Sequence, residues 1–418
     1  MSEAVSIKLK SRNDFEKLKE AGYEYVDGTI VPQPLAHPRF TLTELRNAVP
    51  AHCFERSTLK AFGYLTIDLL LVTSLFCCAY FLLEQRSLPL CCQFVGYLTY
   101  WFLQGSVFFG VWVIGHECGH FSFSESNLIN DTVGFIIHSA FLTPYHSWKY
   151  SHRKHHSNTG SCDNDTTFVP FTEKEVMPTW SETLQDSPLY HAFILSRMLM
   201  FGWMPMYLGT TAWGPREYEN KPRCHFNPNA AFVLPKDRPY VVLSDMGFLA
   251  TVATIGYFIC TCGFPIVLRL YIVPYAVMNA HLLIVTYLQH TDTYIPHFRE
   301  GEWTWLRGAL CTVDRSYGKF LDVIFHHTTD AHICHHIFSK IPFYHCLEAT
   351  EAIKPILGDY YLKDTTPFYL ALWRVVTHCQ YVQNDGTVVF YKRKLLKSKS
   401  DIQNGILIKK DQRNGICK

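Results

Sequence analysis

Charge is scarce in this sequence, and neither sign dominates. Only 18% of the 418 residues are charged, and 38 basic against 36 acidic residues leave a net charge of +2. A nucleic-acid-binding surface needs a clustered basic excess, and none is present. The first twenty residues, MSEAVSIKLKSRNDFEKLKE, are polar and of mixed charge. They lack the apolar core of a secretory leader and hold too many acids for a transit peptide, so neither is expected. No internal repeat is visible. A disulfide framework is also missing, although there are 15 cysteines. Their number is odd, four form the adjacent pairs Cys77-Cys78 and Cys91-Cys92, and Cys260 and Cys262 lie in an apolar run. Such frameworks belong to small secreted domains. Reduced cysteines packing as small hydrophobes are expected instead. An aromatic content of 15% excludes disorder as the main state.

Long apolar runs are abundant. Residues 61–83 carry one charge, Asp68, and residues 93–115 carry none. Residues 246–262 are uncharged, with Asp245 at their edge, and residues 264–288 hold only Arg269 and His281. Crossing a bilayer core of about 30 Å takes roughly 20 helical residues. Three of the runs reach that length, and 246–262 needs its flanks. Residues 128–143 are too short to cross and contain Asp131 and His138. Residues 191–213 contain Arg197 and Pro205. The first is expected to be an interfacial or re-entrant piece and the second to lie at the membrane interface.

The expected fold is an all-α integral membrane protein, with four transmembrane helices in two hairpins and a cytosolic helical cap. Lys and Arg set the orientation. Nine fall in the first sixty residues, from Lys8 to Lys60, but residues 84–92 hold only Arg86 and the connection around Gly263 has none. The expected division is a cytosolic N-terminal segment at 1–60 and a first hairpin at 61–115. A cap follows at 116–240, then a second hairpin at 241–290, a further cap at 291–395 and a polar tail at 396–418. With a cytosolic cap, the glycosylation sequons at Asn130 and Asn164 should stay unused.

Twenty-one histidines are the main excess. Three clusters stand out: His116 and His120 in HECGH, His152, His155 and His156 in HRKHH, and His332, His335 and His336 in HICHH. Helical residues three or four apart share a face, so each cluster presents a comb of imidazoles. Two combs share one H-x-x-H-H spacing, and eight imidazoles suit one or more transition metals. His290, at the end of the fourth apolar run, is a further ligand candidate. His326 and His327 lie close before the third comb, and the spacing does not say which of the three completes the site. His138 and His146 are candidates for supporting the ligands. His37, His52, His191, His225, His297, His345 and His378 read as ordinary surface or core residues.

The combs can meet only on one side of the membrane. An even number of crossings must then separate the second from the third, which again places 191–213 at the interface. HECGH also matches the zinc-protease pattern H-E-x-x-H, with Glu117 as general base. That reading leaves two combs without a role. A metal transporter would want its ionisable groups within the spans, whereas these lie at the span ends. Zinc has no redox activity, whereas iron on nitrogen ligands activates oxygen. A site at the membrane surface suits a lipid substrate, so oxidation of an unactivated C–H bond is the natural expectation.

The segments GHECGH, PYHSWKYSHRKHHSNTG and AHICHHIFSKIPFYH resemble the three histidine boxes of membrane fatty acid desaturases. They are closest to the delta-12/omega-3 branch of plants and fungi. TLTELRNAVPAHCFERS, YLQHTDTYIPHF, WLRGALCTVDRSYGKFLD and EATEAIKPILGDYY extend the likeness over roughly residues 41–395. The resemblance implies a di-iron centre held by His116, His120, His152, His155, His156, His332, His335 and His336, with His290 as the ninth ligand. It implies molecular oxygen and an endoplasmic-reticulum membrane. The electrons would come from cytochrome b5 and its NADH-dependent reductase, as a separate partner because no HPGG segment is present. The substrate would be an oleoyl or linoleoyl chain on phospholipid or coenzyme A. Delta-12 desaturation is the leading expectation. An omega-3 desaturase, hydroxylase, epoxygenase or acetylenase would use the same scaffold. Departures from the usual boxes mark Phe121, Cys334, Thr329 and Ala331 as candidates for setting the product.

Overall fold

The computed structural model describes residues 35–85, 88–176, 187–210 and 214–393, and the backbone of a two-strand ladder at Tyr25–Val26 and Thr29–Ile30. The expected polar tail, 396–418, and most of the first 34 residues lie outside the described residues. The described chain is mostly helical, and its strands are only two residues long. Helix α1, Leu42–Ala48, starts at a capping box in which Thr41 and Glu44 each bond the other's backbone N–H. Helix α2, Thr58–Ala79, starts at Ser57, whose hydroxyl accepts from the Lys60 N–H, and continues as a widened turn to Glu84. Helix α3 is Leu90–Gly119, opened by Pro89. Helices α4, Asn127–Ala140, and α5, Tyr145–Asn158, follow. Next come α6, Pro188–Phe201, α7, Arg238–Cys262, and α8, Val273–His290. Helices α9, His332–Ile337, α10, Phe343–Leu357, and α11, Phe368–His378, lie toward the C-terminal end.

Four helical stretches are long and apolar enough to cross a membrane: Thr58–Glu84, Leu90–Gly119, Pro235–Cys262 and Phe264–His290. They coincide with the four expected runs, and the third gains the missing length from its N-terminal flank. The second and fourth form the centre. The most apolar stretch of the second is 72% buried, against 17% for the first and 6% for the third. Those two therefore turn side chains such as Ile67, Leu70, Met246 and Leu249 outward, as a lipid-facing helix must.

Helix α3 has 30 residues and so is about 45 Å long, which exceeds the roughly 30 Å bilayer core. Its last turn, with His116, can stand clear of the hydrocarbon. Every residue from Gln104 to Cys118 is buried. Gly105 permits that packing, because a Cβ there would lie 2.6 Å from Val277 Cβ and 2.8 Å from the Pro274 carbonyl oxygen. The third span packs on α4 and α5, while α8 packs chiefly on α3.

The charged residues inside the runs, and His281, have partners, as burial in hydrocarbon requires. Asp68 meets His326 Nε2 at 2.7 Å. Arg269 makes two bonds to Glu84, of 2.6 and 2.7 Å, and Tyr97 donates to the same carboxylate. His281 pairs with Ser106 at 3.1 Å.

Helices α4 and α6 have 14 residues each, about 21 Å, and are too short to cross. Helix α6 gives way to an irregular segment that breaks at Met204, and residues 211–213 of the expected interfacial run lie outside the described residues. The two sequons differ. Asn130 is fully buried and donates to the carbonyls of Ser124 and Ser126, both at 2.7 Å, so packing alone bars a glycan there. Asn164 is exposed, and it alone can report which side of the membrane the cap occupies.

Candidate metal centre

The three combs form where their spacing predicts. His116 lies in the last turn of α3, and His120 caps that helix. His152, His155 and His156 share α5, which is polar enough to be recognised only by its histidine spacing. His332, His335 and His336 make up half of the six-residue helix α9. The carboxylate of Asp314 accepts from the Ile333 N–H at 2.9 Å and so caps that short helix from a distant strand. His290 ends α8.

The nine rings converge in two adjoining groups. Ligand nitrogens of His116, His120, His152, His156 and His335 all lie within 4.8 Å of one another, and those of His155, His290 and His336 form a second such set. His332 joins the second, with its Nε2 3.1 Å from His290 Nε2. The groups abut where the His156 and His336 rings stack at 4.1 Å.

The opposite ring nitrogen is held in four of the nine. His116 Nδ1 faces Glu117 Oε1 at 3.2 Å, and Ser122 donates to the other oxygen of that carboxylate at 2.7 Å. His155 Nδ1 meets Asp165 Oδ1 at 2.9 Å. His332 Nδ1 meets the Thr328 carbonyl at 3.0 Å, and His336 Nδ1 meets the Thr159 hydroxyl at 3.2 Å. Carboxylates and carbonyls only accept, so they fix the proton on Nδ1 and leave the Nε2 lone pair pointing inward. Burial, reinforced by neighbouring rings, holds His120, His152, His156, His335 and His336 well below the ordinary imidazole pKa. The same causes lower His332 to about 3. The neutral imidazole is the form that binds metals.

A cation fits this donor set. His152 Nε2 lies 2.9 Å from His116 Nε2 and 3.0 Å from His120 Nε2, and His155 Nε2 lies 3.3 Å from His290 Nε2. A ring N–H can bridge such nitrogens only one pair at a time, whereas a cation between them lets all of them act as acceptors at once. Nε2 of His335 and His336 is buried with no protein partner. An all-nitrogen set of this kind suits iron or another transition metal.

Of the three histidines the spacing left open, His290 enters the centre. His326 is bonded to Asp68, and His327 Nδ1 to Asp330 at 3.1 Å. His138 stacks on Trp112 and bonds the Trp112 carbonyl at 3.2 Å, so it supports helix α3 rather than a ring of the centre. His146 packs among Phe135, Tyr145 and Tyr240, away from the rings. Glu117 lies behind His116, on the Nδ1 side, and is not placed as a zinc protease's general base. Asp165 was missed because a single acid in a loop has no periodic signature. Asp165→Asn keeps the shape but weakens the hold on the His155 tautomer. It should cost about 10–100-fold in metal affinity or activity, read by metal content and turnover of purified protein. Wild-type values in both would remove Asp165 from the site.

An apolar cavity opens against the centre. His116, His152, His155, His290 and His332 form one wall. Trp112, Trp148, Met198, Trp203, Leu282 and Val285 line much of the remainder, between α3, α6 and α8. Thr286 also lines it, with its hydroxyl turned back to the Leu282 carbonyl at 2.9 Å. Phe121, Cys334, Thr329 and Ala331 do not line this cavity. Phe121 packs under the Lys149 ammonium at 4.0 Å, and Thr329 donates to Asp322 at 3.1 Å. Cys334 and Ala331 are buried in the cluster behind α9. The cavity residues come from segments far apart in sequence, which leaves no local signal for them.

Residues 93–368 match the profile of the family described as fatty acid desaturase. The chain is 45% identical over 369 residues to a delta(12)-acyl-lipid-desaturase of Punica granatum, covering 87% of this chain and 93% of that protein. A delta(12)-fatty-acid desaturase of Arabidopsis thaliana is 43% identical over 369 residues, 87% and 94% of the two chains. An oleoyl-12-hydroxylase of Ricinus communis is 43% identical over 352 residues, 84% and 89%. Three histidine combs at one end of four long apolar helices, and similarity over most of the length, give one conclusion: this chain is an enzyme of the membrane fatty acid desaturase family.

Proposed function

We propose that the chain is a delta-12 acyl-lipid desaturase, converting oleoyl to linoleoyl chains at two iron ions held by the nine histidines. The apolar cavity that ends on five of those histidines carries the reading. Relatives named for delta-12 desaturation support the bond position. When bound, the irons supply oxygen activation and the oxidising power to remove two hydrogens from unactivated methylenes. Overall, –CH2–CH2–, O2, two electrons and two protons give –CH=CH– and two waters.

The protein's own residues position and exclude. The cavity's aromatic and aliphatic wall takes the acyl chain out of water, and the floor of histidines presents the metals to one stretch of it. A slip of one carbon would move the wrong bond to the metals, so product position rests on where this wall stops the chain. Met198, Trp203 and Thr286 are therefore better placed to set the product than Phe121, Cys334, Thr329 or Ala331.

In this reading the chain forms two membrane hairpins, 61–115 and 241–290, with caps at 116–240 and 291–395 and flanking segments 1–60 and 396–418. The basic flanks of the N-terminal segment support termini and a metal centre that face the cytosol. The membrane is that of the endoplasmic reticulum. Electrons come from cytochrome b5 and its NADH-dependent reductase.

The test is the fatty-acid profile of yeast expressing the chain, with double bonds localised by mass spectrometry. Yeast supplies oleate, cytochrome b5 and the reductase. New linoleate is expected. Linolenate formed only after linoleate feeding would replace the proposal with an omega-3 activity. A hydroxylated product, as the name of the Ricinus relative suggests, would keep the site and change the reaction.

A further inference from the structure

We propose that His52, Cys53, His345 and Glu348 form a mononuclear zinc site, separate from the histidine centre, that staples the segment before the first span to helix α10. One ligand atom from each of the four lies within 4.8 Å of the others. His52 Nε2 is 3.0 Å from Glu348 Oε2 and 3.7 Å from Cys53 Sγ, and His345 Nδ1 is 3.9 Å from the same carboxylate oxygen. Zinc bonds of about 2.0–2.3 Å in a tetrahedron place neighbouring ligand atoms roughly 3.3–3.7 Å apart. The observed separations of 3.0, 3.7 and 3.9 Å bracket that range.

The donor set selects the metal. One thiol, two imidazoles and one carboxylate suit zinc, whereas calcium and magnesium want oxygen alone. A thiolate and a carboxylate also balance the charge of Zn2+. The proton displaced from Cys53 leaves to solvent as the metal binds. The plain alternative is an exposed His52–Glu348 ion pair, which contributes little. An ion pair alone does not account for a second imidazole facing the same carboxylate, with the Cys53 thiol 3.7 Å from His52.

The place in the fold gives the site a role. His52 and Cys53 lie in the short turn Ala51–Phe54, just before α2 enters the membrane. His345 and Glu348 lie one turn apart at the start of α10, which packs on α9 and its three histidines. A metal here ties the first span's entry to the element behind the third comb. His52 and Glu348 are half exposed, with side chains 52% and 50% accessible, so the ion can exchange with solvent.

Cobalt titration of the full-length protein in detergent tests this. Co2+ should produce a thiolate-to-cobalt charge-transfer band that saturates at one equivalent and is bleached by Zn2+. The nine-histidine centre offers no thiolate, so the band is independent of catalysis, and its loss in the Cys53 variant separates it from cobalt bound at exposed cysteines such as Cys77, Cys78, Cys91 and Cys92. Cys53→Ser should abolish it. Glu348→Gln, an exposed change that leaves the core intact, should weaken cobalt binding at least about tenfold. His155→Ala should leave the band unchanged. Absence of the band in the wild type would overturn the proposal, as would a band undiminished in either Cys53→Ser or Glu348→Gln.

Discussion

His155→Ala is expected to leave the protein folded in the membrane and to remove its product. The His155 ring lies in the second group of imidazoles, 3.3 Å from His290, with Asp165 behind it. In the proposed centre, removing the ring takes away one ligand and leaves the buried Asp165 carboxylate with only the Thr167 and Phe168 N–H groups as partners. It takes nothing from the helix interface that holds α3 against α8. Loss of an outer partner alone costs roughly 10–100-fold, so loss of the ligand should leave below about 1% of wild-type product. Metal content should fall in parallel. The measurement pairs fatty-acid analysis with quantification of the membrane-inserted protein. Near wild-type product at equal protein level would remove His155 from the centre. Loss of product together with loss of the protein would show a folding role instead.

Arg315→Leu should be the most destabilising single change outside the membrane. Arg315 is wholly buried. It bonds Asp292 at 3.1 Å and Asp364 at 2.9 Å, and also donates to the Leu288 carbonyl. Arg374 binds both carboxylates, each at 2.6 Å. Burial alone would raise the Asp364 pKa, but Arg315 leads the opposing effects, which include Arg374 and bonds from Thr366, and holds it at about 2. Two carboxylates, Asp292 fully buried and Asp364 largely so, therefore depend on two guanidiniums. Removing one partner of a buried pair costs about 3–5 kcal/mol. Asp292 follows His290 by two residues, so the same loss should loosen that ring and reduce turnover per folded molecule. Thermal unfolding in detergent reads the first effect and specific activity the second. Arg315→Lys should recover only part, because an ammonium lacks the planar fork that reaches two carboxylates and a carbonyl. A wild-type unfolding temperature for Arg315→Leu would show that Arg374 alone neutralises the pair.

Much of this protein was legible because its strongest signals are local. A membrane span is a contiguous apolar stretch, so the four long helices stand in the sequence by themselves. A metal-binding helix repeats its ligand every three or four residues, so the three combs are visible before any fold is known. The short apolar run 191–213 could likewise be set apart from the spans, since its Pro205 and its charge argue against a crossing.

The remainder was decided by tertiary structure, because it depends on where side chains from distant segments point. The choice of His290 over His326 and His327 turned on whether Asp68, in the first span, was within reach of His326. Asp165 gains its role only when α5 turns His155 toward it, and Thr159 meets His336 across 177 residues of chain. Phe121, Cys334, Thr329 and Ala331 drew attention by their closeness in sequence to the combs, yet the cavity wall is built by α6 and α8 instead. His52 and His345, each ordinary alone, become a ligand set only because α10 returns beside the turn that precedes the first span. Spacing along a helix fixes which residues share a face. Only packing fixes what that face meets.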